Sequence, residues 1–136
     1  MKRNLIALGL PAALAAGILL GRQAGPWAQV AAAQSDEPLQ IPVSMIEYQF
    51  DPGEFVVKAG QPVQFVLTNN GTERHRFNVG GFGDRWRSSD PEPGDSTTLD
   101  VTFTEPGVYE VWCSVATPDG QPHRSLGMEG TLTVVE

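Results

Sequence analysis

From Ile41 onward the large apolar residues recur at every second position. Ile41, Val43 and Met45 alternate with other residues, and Tyr48 and Phe50 precede a turn at Asp51-Pro52-Gly53. Phe55-Val56-Val57 leads into Ala59-Gly60, and Val63, Phe65 and Leu67 alternate up to Asn69-Asn70-Gly71. Val101 and Phe103 precede Pro106-Gly107; Tyr109, Val111 and Cys113 share one parity, and Leu132 and Val134 close the chain. A period of two, broken by Gly, Pro and Asn, predicts short strands, and no segment keeps the 3.6-residue period of an amphipathic helix. The pattern therefore predicts an all-β domain, an antiparallel sandwich or barrel. Asn78 to Ser96 is turn-rich, with Phe82 and Trp86 as its large apolar residues, and reads as a long connection across one edge of the sandwich.

The first residues follow a different rule. Met1-Lys2-Arg3 is cationic, Leu5 to Leu20 is apolar and uncharged, and Ala31-Ala32-Ala33 offers the small residues of a cleavage site. That order is a secretory signal. The apolar run contains Pro11 and is shorter than the roughly 20 residues that span a bilayer. Its distance from Ala33 is long for a signal, which leaves an uncleaved anchor as the alternative. Residues 1–33 are thus expected to export or anchor the protein, residues 34–39 form a lead-in, and residues 40–136 form one domain. Either way the body lies outside the cytoplasm, in the periplasm or cell envelope.

Charge narrows the partners. All sixteen carboxylates lie beyond residue 33, facing six cations: Lys58, Arg74, Arg76, Arg85, Arg87 and Arg124. The balance argues against nucleic acid and anionic membranes, and it suits solubility or a basic protein partner.

The chain has one cysteine and two histidines. A lone cysteine in an exported protein forms no internal disulfide; it is an intermolecular link, a reactive thiol, a buried filler or a metal ligand. Cys113 stands at a strand end, where a small buried hydrophobe is the ordinary reading. The loop behind it shifts the balance, because His123-x4-Met128 follows and the last strand starts at Thr131. A loop joining the last two strands returns its residues to the end of the strand it left. His75 comes from a distant segment, with Phe77 two residues on to fix it against the core. One thiolate, two imidazoles and a thioether are the donor set of a blue-copper electron-transfer site.

Other readings use fewer of these residues. A cysteine–histidine nucleophile pair has no evident orienting partner here. Zinc prefers four strong donors and has little use for a thioether. A copper store or delivery module would ordinarily offer more thiols and thioethers, where this chain adds only Met45.

The runs Phe55-Val-Val-Lys-Ala-Gly60-x-x-Val63-x-Phe65, Asn70 to His75, Gly107-Val-Tyr-Glu-Val-Trp-Cys113 and Pro122-His-Arg-Ser-Leu-Gly-Met-Glu-Gly-Thr-Leu-Thr-Val134 resemble the cupredoxins, small blue-copper proteins similar to plastocyanin and azurin. The resemblance implies a Greek-key β-sandwich and one type 1 copper ion, with His75, Cys113 and His123 as strong ligands and Met128 as the axial one. It implies a non-enzymatic, monomeric carrier of single electrons to a redox protein, a cytochrome or a membrane oxidoreductase. Two features depart from the family. Ten positions separate Cys113 from His123, a loop closer to the type 1 copper domains of larger copper enzymes, and it is expected to bulge outward. Arg76 follows the first histidine where the family often has a smaller group that steadies the cysteine loop. Of the two histidines, His123 is expected to present its ring edge to solvent, rimmed by Pro122 and Leu126.

Overall fold

The computed structural model describes residues 37–81 and 83–136, apart from the Asp84 side chain. The expected export segment 1–33, residues 34–36 of the lead-in, and Phe82 lie outside the described residues. Nine strands follow in order: β1 (Leu39–Ile46), β2 (Gln49–Asp51), β3 (Glu54–Lys58), β4 (Pro62–Asn69), β5 (Asn78–Gly81), β6 (Asp84–Arg87), β7 (Ser96–Thr102), β8 (Gly107–Trp112) and β9 (Glu129–Val135). No α-helix occurs among the described residues, and none of their helices is long and apolar enough to cross a membrane.

Two sheets stack face to face, one ordered β2-β1-β4-β7 and the other β3-β9-β8-β5-β6. Alternation decides which residues meet between them. Val63, Phe65 and Leu67 of β4, Phe55 and Val57 of β3, Tyr109 and Val111 of β8, and Leu132 and Val134 of β9 are all buried. Their off-parity neighbours face out, Val56 and Val108 among them. Phe77 sits at the centre, with Phe65 at 5.0 Å, Phe50 at 5.2 Å and Phe55 at 5.8 Å between ring centroids. Such tilted and edge-on aromatic contacts add to the area they bury.

The sandwich departs from the sequence-based expectation in two respects. It is not wholly antiparallel: β1 runs parallel to β4 and β3 parallel to β9. Both parallel pairs follow from the Greek-key path, which lets a strand cross to the opposite sheet before it pairs again. The stretch from Asn78 to Ser96 is also not all connection. Its first part is the β5–β6 hairpin, with Val79 opposite Trp86, which forms the edge of the second sheet. Val79 is fully buried there and Trp86 packs 4.9 Å from Phe103. The glycines that suggested loop, Gly80 and Gly81, lie within β5, and Gly81 keeps space for the Tyr109 ring.

Candidate metal centre

One end of the sandwich gathers residues from four places. His75 lies in the segment between β4 and β5. Cys113 follows β8 directly, His123 opens a single 3-10 turn (His123–Leu126), and Met128 stands just before β9. Backbone hydrogen bonds tie the last three together: Cys113 N–H to Met128 O (3.0 Å), Met128 N–H to His123 O (3.0 Å) and His123 N–H to Val115 O (2.9 Å). The loop therefore returns to the strand end it left. The excess residues between Cys113 and His123 project outward as a turn, pinched at its base by the Ala116–Pro122 bridge and a Thr117 N–H to Gln121 O bond of 2.9 Å.

On the other side the loop before His75 is held by Asn69. Its buried amide donates to Glu73 O (2.7 Å) and Pro91 O (2.9 Å), and its Oδ1 accepts from Gly71 N–H (3.0 Å). Phe77 then anchors the chain two residues past the histidine.

His75, Cys113 and His123 are each completely buried, and one donor atom from each lies within 4.8 Å of the others. The two Nδ1 atoms are 3.2 Å apart, and His123 Nδ1 is 3.6 Å from Cys113 Sγ. Metal–nitrogen bonds of about 2.0–2.1 Å and a metal–sulfur bond of about 2.3 Å would produce separations of this size around one ion. Carboxylates face the far side of each ring: Glu47 Oε1 lies 3.4 Å from His75 Nε2 and Glu73 Oε2 lies 2.8 Å from His123 Nε2. Both oxygens sit off the N–H axis, so neither Nε2 has an aligned acceptor. Their negative charge still favours the proton on Nε2, which leaves both Nδ1 lone pairs aimed at the same space. Two nitrogens this close repel unless a proton on one of them or a metal ion lies between them. The donors thus fit a metal ion, and one thiolate with two imidazoles suits copper.

The surroundings set the protonation states. Burial lowers the His75 pKa, and the nearby His123 lowers it further, so the ring is neutral as a ligand must be. Burial raises the Cys113 pKa, against the opposing N–H groups of Arg76 and Val115. Ion binding must therefore displace a thiol proton. Arg76 stands where the resemblance leads to the expectation of a smaller group. Its N–H donates to Cys113 Sγ (3.4 Å) and its guanidinium to Ser114 Oγ (3.4 Å), while Asp90 holds the guanidinium through a two-point ion pair.

The structure brings His75, Cys113 and His123 together and holds Met128, also fully buried, through its backbone to two of them. It overturns the expected exposure of His123. That ring is buried under Tyr48, whose own ring lies edge-on at 4.8 Å, while Leu126 is exposed nearby. Glu47, Tyr48 and Glu73 escaped sequence reasoning. Their one local signal was the spacing of Glu73 and His75 after a glycine turn, and Gly71 is where a side chain would strike the Glu47 carboxylate.

Glu47 makes the apoprotein sensitive to acid. Burial alone would raise its pKa, but the backbone N–H groups of Glu73 (2.8 Å) and Thr72 (2.5 Å), with His75 beside them, outweigh burial and hold it at about 2. A carboxylate whose folded pKa is depressed stabilises the fold above its unfolded pKa of 4.5, and that contribution is lost as pH falls towards 2. The lowered His75 pKa acts in the same direction, starting below 6.5, because the unfolded chain takes up that proton first. Glu47→Gln should cost metal-free protein about 1–2 kcal/mol at pH 7, discounted for partial exposure. In urea unfolding the gap should close as pH falls from 4.5 to 2. A gap that stays constant with pH would show that the charge of Glu47 is not its source.

Residues 12–134 match the model of the cupredoxin-like domain, and the chain belongs to that family. Plastocyanin A/B of Petroselinum crispum is 33% identical over 92 residues, covering 62% of this chain and 86% of that protein. Cytochrome c oxidase subunit 2 of Thermus thermophilus is 31% identical over 118 residues, covering 85% of this chain and 82% of that protein. Among solved structures, auracyanin of Roseiflexus castenholzii superposes with a TM-score of 0.61 at 22% identity, over 71% of this chain and 97% of that one, which bears on the fold. Family, fold and the histidine–cysteine–histidine cluster together fit a blue-copper electron carrier.

Proposed function

We propose that the protein is an exported carrier of single electrons, holding one copper ion through His75, Cys113 and His123 with Met128 as a weak axial ligand. The observation that carries this reading is the convergence of two Nδ1 atoms and one Sγ at a fully buried end of the sandwich. When bound, copper supplies a one-electron couple. Cys113 favours the reduced ion and the imidazoles the oxidised one, so the same donors serve both states. Because the ligands sit on separate, tightly packed segments, they move little when the charge changes, and little movement keeps the barrier to electron transfer low. Burial excludes water from the donors. The partner is a redox protein, a cytochrome or a membrane oxidoreductase.

Visible spectroscopy of the copper-loaded protein tests the site, an intense blue thiolate band being the expected result. Reversible reduction and reoxidation without loss of copper separates a carrier from a store, which would release the ion to a chelator instead. Met128 is tested by substitution. A weak axial thioether does little to stabilise Cu(II), so a stronger donor favours the oxidised state. Met128→Gln should lower the reduction potential and Met128→Leu should raise it. Identical potentials in both variants would make Met128 a packing residue.

A further inference from the structure

Among the six cations beyond residue 33, four line or flank one surface. On the outer face of the second sheet, Trp112 of β8 lies between two guanidiniums, with Arg85 Cζ 5.3 Å and Arg124 Cζ 5.5 Å from the ring centroid. Register places Asn78 beside Trp112 and Arg87 beside Asn78, so the arginines of β6 extend the same row to the sheet edge. A depression of about 500 Å³ opens there, walled by Arg76, Asn78, Arg85, Arg87, Trp112 and Ser114. A second, of about 320 Å³, shares Arg85 and Trp112 and continues past Val108, which is 65% exposed. Joined through Arg85 and Trp112 they form one groove, with Trp112 and Val108 as its large apolar residues and Glu110 on its wall.

Charge pairing decides what the groove lacks. Arg76 is neutralised by Asp90, and Arg124 by Glu110 (3.2 Å) and Glu129 (3.3 Å). Among the described residues Arg85 and Arg87 have no acidic partner. Charged side chains on an edge strand commonly serve only to discourage edge pairing. Arg85 does not fit that role alone, because it folds back over the Trp112 ring, which fixes its fork in place.

We propose that this groove docks the acidic face of a protein partner, with carboxylates on Arg85 and Arg87 and apolar contact on Trp112 and Val108. The inference rests on the electron-carrier reading and adds the chemistry of its partner. In a chain of formal net charge −7, a local basic groove orients an acidic partner rather than attracting it from afar. The site so oriented is close to the metal centre: Trp112 and Ser114 flank Cys113, and Arg76, in the groove wall, donates its N–H to Cys113 Sγ. A macromolecule fits better than a small anion because the cationic end continues past the Trp112 ring to the exposed Val108. The groove fits a partner with an acidic face, where overall charge alone suited a basic one.

The test is a titration of the copper(I)-loaded, isotope-labelled full chain with a decaglutamate peptide at low salt, followed by NMR. Expected are shifts at Arg85, Arg87 and Ser114 and at the Trp112 indole. Affinity should fall at least tenfold in Arg85→Glu and stay within twofold of wild type in Lys58→Glu, a like charge reversal on β3. Absence of shifts overturns the proposal, as does equal loss in both variants. Inorganic phosphate giving the same shifts at matching concentration would make the groove a small-anion site, and tighter binding of oligo(dT) would assign it to nucleic acid; both overturn it. Wild type and Arg85→Glu should show the same blue band. A missing band in wild type would refute the copper reading, whereas the peptide titration repeated on metal-free protein would still decide the groove.

Discussion

Cys113→Ser should abolish the intense visible band expected of the copper-loaded protein and weaken copper retention at least a hundredfold, while the sandwich should stay folded. Cys113 is the only thiol in the chain, so no other residue can supply the thiolate on which the band depends. Its Sγ faces His123 Nδ1 at 3.6 Å and accepts the Arg76 N–H at 3.4 Å, and serine leaves a hard oxygen where a soft ligand stood. Folding should survive, because the change is nearly isosteric and Arg76 offers the new hydroxyl a hydrogen bond. Absorption spectra and copper dialysis of the variant check the first claim, and far-ultraviolet circular dichroism the second. A surviving blue band would mean that the colour arises elsewhere.

Gly130→Ala is the expected route to the largest loss of stability from a single methyl group. A Cβ at Gly130 would overlap the carbonyl oxygen of Gly53 and lie 3.1 Å from its carbonyl carbon. Backbone, not a mobile side chain, is in the way. Relief requires pulling β9 from the turn before β3, which breaks the Thr131 N–H bond to Gly53 O (2.9 Å) and strains the parallel register that pairs Glu54 with Thr131. Overpacking of this kind costs on the order of 3 kcal/mol, equivalent to a fall in Tm of about 15 °C for a domain this size. Gly94→Ala makes the comparison: its φ of +88° carries strain, but nothing lies within 4 Å, so it should cost about 1 kcal/mol. Thermal unfolding that ranks Gly94→Ala as the more damaging would contradict the close approach of the two backbones.

Particular residues show how far the sequence could be read. Val63, Phe65 and Leu67 declared their strand and its buried face, because side-chain alternation is local and burial follows parity. Tyr109 and Val111 likewise aimed Cys113 inward, and the loop carrying His123 and Met128 could be placed because its two ends belong to adjacent strands. Pairing across the chain left no such mark. Nothing near Leu39 signals a parallel neighbour starting at Val63, since register between distant strands is set by how both pack on the core. The β5–β6 hairpin was obscured by its glycines, which read as loop until Tyr109 is seen filling the space above Gly81. The burial of His123 depends on Tyr48, and its carboxylate neighbour on the fold of the loop held by Asn69. Those contacts join residues dozens of positions apart, and single-chain patterns do not encode them.

The neck formed by Ala116 and Pro122 separates two lengths that sequence treats as one. Distance along the chain between Cys113 and His123 is set by the excursion beyond the neck, whereas their distance in space is set by bonds on the near side, His123 N–H to Val115 O and Cys113 N–H to Met128 O. The tip, residues 117–120, lies beyond the neck, so a change in its length should leave the ligand positions where these bonds hold them.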